Sequence, residues 1–185
     1  MNIPLAERMR PKSLKDYFGQ DHLIGKKGSL TNMIKNGVFP SIIFWGPPGT
    51  GKTTLAQLLA FEKGRPFYQL SAINTGVKEI REIISKAEHS GGLFSGKNPI
   101  LFIDEIHRFS KSQQDSLLNA VEKGTITLIG ATTENPSFEV INALLSRCQV
   151  YILNALEKED LEKILKTALN TDRELHNKKI KIKES

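Results

Sequence analysis

The sequence predicts an α/β protein of three layers, in which helices cover both faces of a mainly parallel sheet. Three observations support this fold class. Short apolar runs of strand length alternate with segments of helical period. The runs are apolar throughout, as in strands that are buried on both faces. A glycine-rich turn, GPPGTGKT at 46–53, follows the first run and precedes a helical segment.

Each element follows from apolar periodicity and from the residues that end it. Residues 1–22 contain two prolines and are expected to form a mostly extended arm. Ser110 and Gln113 have the spacing of a capping box, and Gly124 ends the helix that follows. The predicted strands are 41–45, 66–70, 99–104, 125–131 and 149–153. The predicted helices are 26–36, 52–63, 77–88, 111–121 and 157–169.

Composition excludes several classes of protein. With 185 residues, 39% of them hydrophobic and 25% charged, the chain has room for a core and differs from a disordered sequence. Its apolar runs fall far short of the roughly 18 residues that span a membrane. Glu7 and Arg8 stand where a signal peptide needs an apolar stretch. The single cysteine, Cys148, has no partner for a disulfide and no zinc-ligand spacing. We therefore expect a cytoplasmic protein without a membrane partner.

The net charge of +6 is unevenly distributed. Residues 1–36 carry +4, residues 37–169 are neutral, and residues 170–185 carry +2. The last sixteen residues are expected to be a solvated tail. For the N-terminal stretch, a solvated arm and an edge that contacts phosphates remain alternatives.

The turn at 46–53 matches the pattern G-x-x-x-x-G-K-[ST] between a strand and a helix. Backbone amides of such a turn, with the positive end of the next helix, surround a triphosphate. Lys52 is placed to reach the β and γ phosphates, and Thr53 to bind Mg²⁺. The sequence therefore predicts ATP and Mg²⁺ as cofactors. The predicted nucleotide contacts are Gly46, Pro47, Pro48, Gly49, Thr50, Gly51, Lys52, Thr53 and Thr54.

Two carboxylates follow the apolar run at 100–103. Ligands of open α/β sheets bind at the carboxyl ends of the strands, so this pair is expected at the ligand edge. Asp104 is predicted to hold Mg²⁺. Glu105, pointing to the other side of the strand, is predicted to orient and polarise the attacking water. Glu105 favours hydrolysis over binding alone.

The roles of further polar residues depend on this predicted nucleotide site. Thr132, Thr133 and Asn135 end the fourth strand, where a hydroxyl or amide senses the γ-phosphate or simply belongs to a Thr-rich strand end. Arg147 precedes the fifth strand and is either a solvated residue or a finger that reaches a neighbouring subunit's nucleotide. His107 has no partner at metal-ligand spacing, so packing near the site is the expected role.

The strings GPPGTGKT, LFIDEIH, LIGATTENPSF and ALLSRC, in this order, resemble the AAA+ ATPases of the clamp-loader branch. The opening LAERMRPKSLKDYFGQDHLIG and the stretch 104–147 are more narrowly similar to the family of replication-associated recombination protein A and Werner helicase interacting protein. The resemblance implies a P-loop NTPase fold with strand order 5-1-4-3-2. It also implies an N-terminal arm at 1–22, a nucleotide-binding domain at 23–155 and the start of a helical lid at 156–185, truncated before a second sensor arginine.

The resemblance also assigns roles to single residues. Thr133 becomes the sensor-1 residue and Arg147 the trans-acting finger. Ser71 corresponds to a regulatory residue that holds the catalytic glutamate inactive until DNA engages. Lys78 and Arg81 match a DNA-facing helix, with an ordinary solvated face as the alternative. The residues expected to frame the adenine are Leu5, Ala6, Arg10, Pro11, Tyr17 and Phe18.

Such proteins are DNA-dependent ATPases that act in replication-fork maintenance, recombination and repair. The resemblance implies a nucleoid-associated homo-oligomer that hydrolyses Mg-ATP at subunit interfaces, with DNA and single-stranded-DNA-binding protein as partners. The truncated chain alone is expected to hydrolyse slowly or not at all. The alternative is a nucleotide-binding structural subunit of a clamp-loader-like assembly without its own turnover. Ser110 and Asn119 depart from the family, where Asn and Pro are expected.

Overall fold

The computed structural model describes residues 3–36, 39–73, 75–89 and 98–176. The described part contains one parallel sheet in the order β2-β3-β4-β1-β5, which confirms the fold class and the predicted strand order. Because all strands run in the same direction, their carboxyl ends meet at one edge of the sheet. The strands are β1 (Ser41–Trp45), β2 (Phe67–Ser71), β3 (Ile100–Asp104), β4 (Thr127–Thr132) and β5 (Cys148–Ile152).

The helices of the described residues lie between these strands and before and after them. Two 3₁₀ turns, Leu14–Asp16 and Ile106–Arg108, add to them. In this part of the chain, no helix has both the length and the apolar character needed to cross a membrane. The α-helices are α1 (Leu5–Arg8), α2 (Asp21–Ile24), α3 (Ser29–Lys35), α4 (Lys52–Glu62), α5 (Val77–His89), α6 (Lys111–Glu122), α7 (Pro136–Glu139), α8 (Asn142–Leu145) and α9 (Lys158–Thr171).

The N-terminal arm differs from its prediction. Instead of an extended segment, it contains α1, the 3₁₀ turn at 14–16 and α2. Pro4 stands at the N-cap of α1, a place where its missing N–H costs no hydrogen bond, so proline begins this helix rather than preventing it. The short helices α7 and α8 are also absent from the prediction, because four residues are too few to show helical periodicity.

The core consists of two clusters, one on each face of the sheet. In β1, Ile42 and Phe44 belong to one cluster and Ile43 to the other, and all three are fully buried. The first cluster joins the sheet to α3 and α4, and the second joins it to α5 and α6. This burial on both faces explains why the strand sequences are apolar without alternation. It also holds β1 rigidly, and the glycine-rich loop follows directly from β1.

Candidate nucleotide-binding site

The loop between β1 and α4 depends on its glycines. Gly49 and Gly51 have φ angles of 80° and 87°, in the left-handed region that disfavours other residues. At Gly46, a Cβ atom would lie 2.2 Å from the carbonyl oxygen of Leu153. At Gly51, it would lie 2.4 Å from the hydroxyl oxygen of Tyr17. The loop therefore packs without side chains at these positions and leaves its backbone open to a ligand.

Lys52 begins α4 and turns its side chain back under the loop. Its ammonium group donates hydrogen bonds to the carbonyl oxygens of Gly46 and Pro47, at 2.7 and 2.8 Å. Burial lowers the pKa of Lys52, while the negative charges of Glu105 and Asp104 act in the opposite direction. The lysine therefore contacts the loop and lies near enough to the two carboxylates for their charges to act on it.

The two carboxylates lie where β3 ends, in different backbone conformations. Asp104 is the last residue of β3, whereas Glu105 has φ 56° and ψ 46°, in the left-handed region. The alternation of side chains along a strand ends before Glu105, so it does not determine where this carboxylate points. Instead, its carboxylate lies 3.3 Å from Nε2 of His107. The sequence indicated only packing for this histidine and missed its contact with Glu105.

The three polar residues after β4 have separate surroundings. Thr132 is fully buried, and its hydroxyl oxygen lies 2.9 Å from Nδ1 of His107. Asn135 caps α7 by accepting a hydrogen bond from the backbone N–H of Ser137. Thr133 lines a cleft of about 500 Å³ at the carboxyl edge of the sheet, together with the beginning of the glycine-rich loop. Of the three, Thr133 is the one that faces this cleft.

The N-terminal arm lies against the loop. The Tyr17 hydroxyl donates a hydrogen bond to the carbonyl oxygen of Thr50 at 2.9 Å, and Arg10 donates one to the hydroxyl of Thr54 at 3.1 Å. The arm thus contacts the loop and the first turn of α4. Of the other residues expected to frame a base, Leu5 and Ala6 are exposed and Pro11 and Phe18 are half-buried.

Arg147 lies at the opposite edge of the sheet. It precedes Cys148, which pairs in register with Ser41 at the amino end of β1. Five residues of β1 separate that level from the loop, or about 16 Å. The guanidinium group forms an ion pair with Glu122 of α6. Arg147 is therefore remote from the site of its own chain.

Ser71 and α5 stand at the ligand edge and on the surface beside it. Ser71 ends β2, pairs in register with Asp104 and is exposed. Within the described part of the chain, it makes no hydrogen bond to Glu105. Lys78 and Arg81 are exposed on α5. Both roles predicted for this helix face stay predictions.

A strand, a glycine-rich loop with a buried lysine, a helix and an acidic strand end together define a P-loop NTPase. The family model of the "ATPase family associated with various cellular activities (AAA)" matches residues 42–156, and the chain belongs to this family. The predicted AAA+ membership is thereby confirmed.

Several proteins are similar to this chain. Replication-associated recombination protein A of Coxiella burnetii is 52% identical over 183 residues, which cover 98% of this chain and 41% of that protein. ATPase WRNIP1 of Dictyostelium discoideum is 51% identical over 166 residues, which cover 90% of this chain and 19% of that protein. These relatives support the narrower family expected from the sequence. The chain spans about two fifths of the length of the first relative.

The fold is also similar to that of a solved motor protein. The RuvB Holliday junction branch migration motor of Thermotoga maritima matches with a TM-score of 0.70 and 31% identity. The match covers 88% of this chain and 54% of that chain.

Proposed function

We propose that the protein containing this chain is a DNA-dependent ATPase of replication-fork maintenance, recombination and repair, which hydrolyses Mg-ATP between the subunits of a homo-oligomer. One observation carries the proposal: Lys52, Asp104 and Glu105 gather at one edge of the sheet, while Arg147 lies at the other. The names of the relatives, which refer to replication, recombination and ATPase activity, support the process.

The residues at the ligand edge fit a nucleotide with its metal ion. The loop exposes backbone between glycines, and the buried ammonium group of Lys52 donates to two loop carbonyls, which phosphate oxygens would replace as acceptors. Thr53 and Asp104 would hold Mg²⁺, which neutralises charge on the β and γ phosphates when bound. Glu105 orients and polarises the water that attacks the γ-phosphate, and Thr133 contacts that phosphate from the cleft.

The position of Arg147 supports hydrolysis between subunits. It cannot reach the nucleotide of its own chain across the length of β1, so a role in hydrolysis requires the nucleotide of a neighbour. A head-to-tail contact, repeated around a closed ring, brings the amino edge of one sheet to the ligand edge of the next. Glu122 and Arg147 are both substantially exposed, so little free energy is needed to release the arginine from this ion pair.

The hydrolytic role of Glu105 is tested in the full-length protein by Glu105→Gln. This variant should bind ATP with nearly unchanged affinity and lose turnover, because the amide cannot polarise water as the carboxylate does. Glu139→Gln, an exposed glutamate on α7, is the matched control and should keep wild-type turnover. An unchanged rate in Glu105→Gln would refute the assignment.

The trans action of Arg147 is tested by mixing variants. Arg147→Ala and Lys52→Ala should each be inactive alone, and mixing them should restore part of the activity, because one subunit supplies the arginine and the other an intact loop. If mixing restores nothing, Arg147 does not act between subunits.

The DNA dependence is tested by ATPase assays with forked, gapped and blunt DNA at two salt concentrations. We expect stimulation that weakens as salt rises. Turnover that does not respond to DNA would contradict the proposal. ATP binding without turnover under every condition would instead favour the alternative, a structural subunit that binds nucleotide.

A further inference from the structure

A continuous line of polar contacts connects Glu105 to the end of β4. Nε2 of His107 lies 3.3 Å from Oε2 of Glu105, and Nδ1 lies 2.9 Å from Oγ1 of Thr132. The same Thr132 oxygen lies 3.0 Å from the backbone nitrogen of Glu134. Thr132 has no exposed surface, and the His107 side chain is 12% exposed. The contact between His107 and Thr132 is therefore largely shielded from competition by solvent, whereas the Glu105 side chain is 29% exposed.

The contacts have one consistent arrangement of protons for an ionised Glu105 and a neutral His107. The carboxylate only accepts, so Nε2 of His107 must carry the proton and donate it. Nδ1 then has only a lone pair, and the Thr132 hydroxyl, which also lies 3.2 Å from the carbonyl oxygen of Glu134, donates to Nδ1 as the nearer acceptor. The Thr132 oxygen in turn accepts from the backbone N–H of Glu134. In the opposite tautomer, the lone pair of Nε2 would face the carboxylate.

The backbone around Glu105 is built to hold this arrangement. Its left-handed conformation turns the chain into the 3₁₀ turn at 106–108. Ile106 of that turn is fully buried and packs against Gly130. A Cβ atom added to Gly130 would lie 3.0 Å from Cδ1 of Ile106. Gly130 and Thr132 are two residues apart and share a face of β4. The missing side chain at Gly130 thus admits Ile106, and His107 comes to lie beside Thr132.

We propose that His107 is a positioning residue for Glu105 and that Thr132 holds the histidine ring in place through its contact with Nδ1. His107 holds one carboxylate oxygen of Glu105 and leaves the other to the attacking water. The same line of polar contacts connects Glu105 to Thr132, which directly precedes Thr133. Glu105 and Thr133, the two residues assigned to the γ-phosphate, are thus linked through the end of β4. The inference deepens the proposed function and rests on it for the catalytic role of Glu105.

The kinetic test uses the full-length protein with saturating DNA. His107→Ala should lower kcat by about tenfold to a hundredfold, the range of a hydrogen bond to a charged group, with KM for ATP within twofold of wild type. His107→Gln, whose amide also donates, should recover part of this loss. Thr132→Val should lower kcat by about threefold to tenfold, and Thr132→Ser, which keeps the hydroxyl, should remain within twofold of wild type.

Several outcomes would overturn the inference. A kcat within twofold of wild type in both His107→Ala and Thr132→Val would do so, as would a rise in KM or a fall in Tm that accounts for the loss of rate. Losses that multiply fully in the double variant would show that the two residues act independently. A rate that Glu105→Gln leaves unchanged refutes the proposed function, whereas a rate that only Glu105→Gln abolishes refutes this inference alone.

A second measurement does not depend on turnover. In full-length protein with ¹⁵N-labelled histidine, long-range ¹H–¹⁵N spectra should show a proton on Nε2 of His107, with His107→Gln providing the assignment. Thr132→Val should leave the proton on Nε2, because the Glu105 carboxylate still requires a donor there, and should shift the Nδ1 resonance, because the hydroxyl donor to Nδ1 is gone. A wild-type His107 that is protonated on Nδ1 would overturn the inference whatever the rates.

Discussion

The hydroxyl of Tyr17 ties the N-terminal arm to the glycine-rich loop, and its removal gives a measurable loss of stability. The tyrosine is 9% exposed, and it donates to the carbonyl oxygen of Thr50 at 2.9 Å. Tyr17→Phe keeps the ring in the core and removes only the donor. Because the carbonyl loses this buried donor, we expect the free energy of unfolding at pH 7 to fall by about 1 to 1.5 kcal/mol.

This loss should depend on pH in a direction that the burial determines. Burial raises the pKa of the Tyr17 hydroxyl well above its usual range. Above pH of about 10, the unfolded chain releases this proton while the folded chain retains it, so the wild type loses stability as pH rises. The limiting slope is about 1.4 kcal/mol per pH unit. The Phe variant lacks this contribution, so its deficit should nearly vanish by about pH 11.

The measurement is urea unfolding of both proteins at pH 7, 9 and 11. Tyr68→Phe on β2 is the matched control, since it removes a tyrosine hydroxyl elsewhere and should keep the wild-type alkaline loss that Tyr17 causes. A Tyr17→Phe deficit that is the same at pH 7 and pH 11 would refute the reasoning.

Three further predictions concern close packing at glycines and the burial of Cys148. Gly46→Ala should abolish ATP binding in a titration, because its Cβ meets a backbone carbonyl at 2.2 Å. In Gly49→Ala, the matched variant, the Cβ meets no atom within 4 Å, so the free energy of unfolding should fall only by the strain of a left-handed alanine, about 1 kcal/mol. Gly130→Ala should destabilise the chain in urea by about 1 to 3 kcal/mol, because its Cβ meets packed isoleucine side chains. Burial raises the pKa of the Cys148 thiol to about 12, so alkylation at pH 8 should be on the order of a thousandfold slower in the folded chain than in urea.

The fold was largely predictable from local patterns. Apolar runs located every strand within two residues of its observed bounds; for example, the fifth strand was expected at 149–153 and is Cys148–Ile152. The runs alone contain no information about which strands pair, and the order came from the resemblance of the motifs. The capping box was also predictable, and both of its hydrogen bonds are present between Ser110 and Gln113.

The finer geometry of the site depends on packing that local patterns do not encode. Nothing in the string Asp-Glu-Ile-His indicates a left-handed Glu105, and the packing of Ile106 that accompanies it is against Gly130 in another strand. The contact of His107 with Thr132 depends on the same packing. The distance of Arg147 from the glycine-rich loop, by contrast, follows from the sequence, because the start of a parallel strand always lies opposite the carboxyl edge of the sheet.

The arm connects the glycine-rich loop to the segment after β5, so the two are mechanically linked. At one end, Arg8 binds both carboxylate oxygens of Asp172, beyond α9, at 2.7 and 3.0 Å. At the other, the Gln20 side chain donates to the carbonyl of Asn154 and accepts from its N–H. Tyr17 holds the loop between them. A movement of α9 relative to the sheet must therefore either separate Arg8 from Asp172 or carry the arm with it, and an arm that moves changes the backbone that the loop presents to phosphate.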